Sequence, residues 1–90
     1  MREGVKQMGE WLRVNAGKDL TVSLSLTRQI VDAKVYLPDY EVMEDEVLIR
    51  LTSGDEGVTL GKKQILHERL ITENCYSVLY NDVEIGFYVA

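Results

Sequence analysis

The sequence predicts a mainly β domain (α+β), with one N-terminal helix followed by five or six short, mostly antiparallel strands in a bent sheet or small barrel. Three observations carry that prediction. Apolar residues at helical spacing occur near the start of the chain, over residues 3–14. A strict apolar–polar alternation runs over residues 19–27. Near the C-terminus, apolar residues on either side of Asn81-Asp82 match one another across a two-residue turn.

In the first segment Val5, Met8 and Leu12 fall at i, i+3 and i+7, on one helical face, and Trp11 widens the stripe. Gly9 weakens the helix by about 1 kcal/mol relative to alanine. Asn15-Ala16-Gly17 is a stop, because Gly17 can adopt the left-handed conformation that ends helices.

From 19 to 27, Leu20, Val22, Leu24 and Leu26 point one way and Thr21, Ser23, Ser25 and Thr27 the other, as in a strand with one wet face. Residues 31–37 read as a strand through Val31, Ala33, Val35 and Leu37, although Ile30 breaks the alternation and a short helix is the competing reading. Pro38 ends ladder pairing or marks an edge. The stretch from 39 to 46, in which five of eight residues are Asp or Glu, reads as a connection with a short extended piece at Glu41–Met43.

A second hairpin is expected over residues 47–60. Val47, Ile49 and Leu51 point inward, Ser53–Gly57 turns, and Val58-Thr59-Leu60 returns before Gly61-Lys62-Lys63 breaks the sheet. Residues 64–72 are ambiguous, since Ile65, Leu66, Leu70 and Ile71 have helix-like spacing and alternate poorly. Glu73-Asn74 forms a turn. In the last hairpin Tyr80 faces Val83, Val78 faces Ile85 and Tyr76 faces Phe87, with Val89 extending the apolar face. A slip of one residue would expose that whole set, so the register is fixed. The order of helix then strands resembles that of Sm-like and other SH3-like small barrels, a likeness of element order alone.

At 90 residues the chain makes one domain, spanning 1–90. Its net charge of −5, from 15 acids and 10 bases, argues against a default nucleic-acid binder and against attraction to anionic membranes. Cys75 is the one cysteine, so no internal disulfide forms. With no leading apolar run and no stretch of ~20 apolar residues, the chain reads as cytoplasmic and not membrane-spanning.

No catalytic or cofactor motif stands out, and neither an enzyme nor a cofactor is expected. His67, Glu68, Glu73 and Cys75 lie close in sequence, but one histidine and one cysteine give no metal-ligand spacing. A Cys75–His67 nucleophile pair needs a proximity that the sequence does not supply. The glycine-rich 54–61 stretch lacks both the Lys-Ser/Thr ending of a phosphate loop and the spacing of a dinucleotide fold.

The leading expectation is a small non-enzymatic protein–protein interaction or regulatory module, self-association included. It would act through strand edges and the acidic residues Asp39, Tyr40, Glu41, Glu44, Asp45 and Glu46. The alternative is a small-barrel RNA- or DNA-binding protein using a basic patch of Lys62, Lys63 and Arg69.

Overall fold

A computed structural model describes residues 3–26 and 32–90. Helix α1 spans Glu3–Val14. Eight strands follow among the described residues: β1 (Leu20–Leu26), β2 (Asp32–Leu37), β3 (Glu41–Glu44), β4 (Leu48–Ser53), β5 (Glu56–Gly61), β6 (Ile65–Thr72), β7 (Cys75–Tyr80) and β8 (Val83–Val89). A 3-10 turn at Lys62–Gln64 joins β5 to β6.

Every strand pairing is antiparallel, so the molecule is mainly β behind an N-terminal helix, the class that the sequence predicts. The strands exceed the expected five or six and divide into two sheets, ordered β2-β1-β8-β7-β6 and β3-β4-β5. The additional strands come from the acidic connection, which contains β3, and from the ambiguous stretch at 64–72, which is β6.

The core lies between the sheets. From the large sheet, Leu20, Val22, Leu37, Ile65, Tyr76, Val78, Ile85, Phe87 and Val89 are buried; from the small one, Ile49, Leu51 and Leu60. The C-terminal hairpin has the predicted register, with Tyr80 opposite Val83, Val78 opposite Ile85 and Tyr76 opposite Phe87. Asn81 takes a φ of 55°, the left-handed conformation required by its tight turn. The small sheet covers the Tyr76–Val89 face. Tyr88, on the opposite face, stays exposed.

Helix α1 buries Met8 and Leu12 completely and packs Trp11 against the core. The side chain of Val5, the third member of the expected stripe, lies outside the described residues, as do Thr27, Ile30 and Val31. Gly17 ends the helical segment at a φ of 92°, and its N–H donates to the Tyr40 carbonyl at 2.9 Å.

One expected inward residue is corrected. Val47 is 61% exposed and precedes β4. The Asp45 carboxylate accepts hydrogen bonds from the Val47 and Leu48 N–H groups, both at 2.7 Å, which holds residues 45–47 in a turn. The inward alternation of β4 therefore begins at Ile49.

Helix α1 bridges two edge strands, β6 of the large sheet and β3 of the small one. On the β6 side, the Met8 N–H donates to Glu68 Oε1 at 3.2 Å and Trp11 Nε1 to the Glu73 carbonyl at 3.1 Å. On the β3 side, Arg13 pairs with Glu44. Gly9 permits that approach, because a Cβ there would lie 2.9 Å from a Glu44 carboxylate oxygen.

Candidate functional site

The six acidic-segment candidates divide by what the backbone does with each. Tyr40 is corrected from surface to core. It is fully buried, and its hydroxyl donates to the Leu12 carbonyl of α1 at 2.6 Å. Burial raises its pKa to about 12, so it stays a neutral donor at physiological pH.

Glu44 belongs to the framework as well. It stands opposite Ile49, which in turn pairs with Leu60, so its side chain is on the core-facing side of the small sheet. Its carboxylate pairs with Arg13 of α1 and, at 2.7 Å, with Lys62 of the 3-10 turn. Partial burial alone would raise the Glu44 pKa, but the Lys62 hydrogen bond and charge, with Arg13 added, hold it below the usual value. One carboxylate thus ties three elements together.

Asp45 is held below the ordinary aspartate range chiefly by the Leu48 N–H and then by that of Val47. It also sets the turn. The remaining acids, Asp39, Glu41 and Glu46, are exposed and form no ion pair among the described residues.

These three acids share the 39–47 segment with exposed apolar residues. Met43, 64% exposed, lies on the outer side of β3 opposite Arg50, and Val47 stands beyond the turn. Met43, Glu44, Asp45, Leu48 and Arg50 line an open depression of about 340 Å³. The depression thus combines the apolar Met43 and Leu48 with one cation, Arg50, and two carboxylates already engaged elsewhere, Glu44 and Asp45.

The basic candidates are not brought together. Lys62 is engaged by Glu44, and Lys63 is exposed on the 3-10 turn. Arg69 lies four residues beyond Ile65 along β6, about 13 Å at strand rise. It borders a different depression, shared with His67, Ser77, Leu79 and Glu84 on the outer face of the large sheet. Tyr36 donates its hydroxyl to Asp19 at 3.0 Å, which raises its pKa.

The surface residues missed by sequence reasoning are Val47, Leu48 and Arg50. The available signal was the interleaving of apolar residues with acids around residue 45. No group of three or more potential metal ligands converges among the described residues. None of the described helices is long and apolar enough to cross a membrane. The chain matches no protein-family model, no curated protein and no solved structure.

Proposed function

We propose that this protein is a cytoplasmic, non-enzymatic interaction module that binds a basic, partly apolar segment of another protein. The observation that carries the reading is the β3–β4 hairpin. In it and just before it, the exposed acids Asp39, Glu41 and Glu46, which form no ion pair among the described residues, share one segment with exposed Met43 and Val47 on a backbone held by Asp45 and Glu44. Mixed apolar and charged strips on a rigid scaffold suit recognition, since little ordering entropy is lost on binding. The dispersal of Lys62, Lys63 and Arg69 favours this reading over nucleic-acid binding.

Calorimetric titration with a lysine- and leucine-rich peptide at low salt tests it. Binding should weaken with added salt. It should fall about tenfold in a protein carrying Asp39→Asn, Glu41→Gln and Glu46→Gln together, since exposed charge pairs contribute ~0.2–1 kcal/mol each. Equal affinity in that variant, or no binding by the parent protein, overturns the reading.

A further inference from the structure

The two sheets meet at two seams. Helix α1 closes the seam between β3 and β6. At the other, β5 faces the β1, β2 and β8 side of the large sheet. The Gly61 N–H donates to the Tyr80 hydroxyl at 2.9 Å across it. Alongside lies an apolar groove of about 390 Å³, with Leu24, Leu26, Ala33, Val58, Leu60 and Val83 in its lining.

The four edge strands differ in how they are guarded. Unpaired backbone groups on an edge recruit further strands unless charges, bulges or a covering element prevent it. The β6 edge carries two register breaks, between Ile65 and His67 and between Leu70 and Thr72. The β3 edge has α1 and the Arg13–Glu44 pair against it. Lys34 stands in the middle of β2. The β5 sequence, Glu56-Gly57-Val58-Thr59-Leu60-Gly61, has no proline, no lysine and an unbroken six-residue register with β4.

The direction of its backbone groups follows from one hydrogen bond. Gly61 directs its N–H to Tyr80 and not to β4. Since backbone groups alternate sides along an antiparallel strand, Thr59 and Gly57 also turn theirs away from β4.

We propose that β5 pairs antiparallel with β5 of a second copy of this chain, about a two-fold axis through Thr59. In this register Thr59 faces its own counterpart and Val58 faces Leu60, while at the ends the Gly57 N–H meets the Gly61 carbonyl, the Gly61 N–H being held by Tyr80. The ends carry the charge argument. Asp55 and Glu56 precede the centre of β5 and Lys62 and Lys63 follow it, so antiparallel pairing sets acids opposite lysines at both ends. A parallel arrangement would set like against like. Lys62 already holds Glu44, whereas Lys63 is exposed and forms no ion pair among the described residues. The intermolecular pair is therefore Asp55 with Lys63, made twice by symmetry. Val58 and Leu60 line the apolar groove of their own chain, and the pairing brings the grooves of the two copies side by side. The inference gives the self-association expected from the sequence a specific interface. It shares no residue with the acidic surface, so either can fail without the other.

Sedimentation velocity on the full chain over a concentration series tests it, and a monomer–dimer equilibrium is expected. Thr59 is exposed, so Thr59→Lys should leave the circular dichroism spectrum unchanged. It places two ammonium groups on the axis and should weaken the dimer tenfold or more. Thr59→Cys with Cys75→Ser should form an interchain disulfide with copper–phenanthroline as oxidant. Directly opposed, hydrogen-bonded residues have Cα atoms ~5.5 Å apart, within disulfide range. Val47→Cys in the same background should not cross-link. Lys63→Asp should weaken association about two- to fivefold, and adding Asp55→Lys should restore it. A chain that stays monomeric at every concentration overturns the proposal. So does a dimer that survives Thr59→Lys and does not cross-link through Thr59→Cys.

Discussion

The two seams differ in what closes them. Where β3 faces β6, the chain places its own helix across the opening, with Met8 and Leu12 fully buried and Arg13 joined to Glu44. Where β5 faces the β1–β2 side, a hydrogen bond from Gly61 to Tyr80 spans the gap beside an apolar groove. The difference teaches that a small sandwich can bury one core without closing every edge. The helix seam is where internal stability is concentrated, and the β5 seam is where surface remains for another chain.

Truncation should separate the seams most strongly. Leu12→Ala removes a fully buried side chain between helix and sheets and should cost about 2–5 kcal/mol in urea unfolding. Val58→Ala, at a half-buried position on the open seam, should cost about 1 kcal/mol or less at concentrations where the chain is monomeric. Equal losses would break the comparison.

Tyr40→Phe sharpens it next. The variant keeps the ring and deletes a hydroxyl that donates to the Leu12 carbonyl in a buried site. It should cost about 1–2 kcal/mol, because the carbonyl is left without its donor. A neutral result would mean that the hydroxyl adds nothing to helix docking.

The acid dependence is smaller. Glu44 and Asp45 both have lowered pKa values in the folded chain. Their contribution is fully present above the ordinary carboxylate range and is lost as pH falls through the lowered values. Stability should therefore decline on acidification below that range. Glu44→Gln should flatten the decline and Asp45→Asn should flatten it further, both read from thermal unfolding between neutral pH and pH 2. A decline identical in all three proteins would mean that neither carboxylate stabilises the fold. The smallest effect belongs to Leu26→Ser at the open seam. Leu26 is 39% exposed, so the monomer should change by no more than about 0.5 kcal/mol.

The legibility of these regions in the sequence follows the same division. The C-terminal hairpin was readable to the residue because its alternation is unbroken and its turn needs only Asn81 to take a positive φ. Strand β6 was obscured by its own edge protection. Register breaks at Leu66 and Ile71 add a residue each, and the surviving apolar spacing imitates a helix. Strand β3 was obscured because a carboxylate, Glu44, occupies a core-facing position, where alternation rules expect an aliphatic residue. Its partners Arg13 and Lys62 are supplied by distant parts of the chain.

The candidate surface was legible as a cluster of acids but not in its division of labour. Nothing local to Tyr40 shows that its hydroxyl binds a carbonyl 28 residues earlier. Nothing in the run of acids distinguishes Asp45, which shapes a turn, from Glu41 and Glu46, which face solvent. Val47 reads as inward for the same reason, since nothing local shows that the Asp45 turn delays the strand by one residue.

Trp11 gives the helix seam its own spectroscopic reporter. It is the only tryptophan in the chain, its ring centroid lies 5.5 Å from that of Tyr76, and its indole N–H is held by the Glu73 carbonyl. Its emission therefore responds to the environment where α1 meets β6 and β7. A variant in which the helix detaches should red-shift that emission while the far-ultraviolet β signal persists. An event confined to β5 should leave it unchanged. A single fluorophore thus allows the two sides of the molecule to be followed separately in one cuvette.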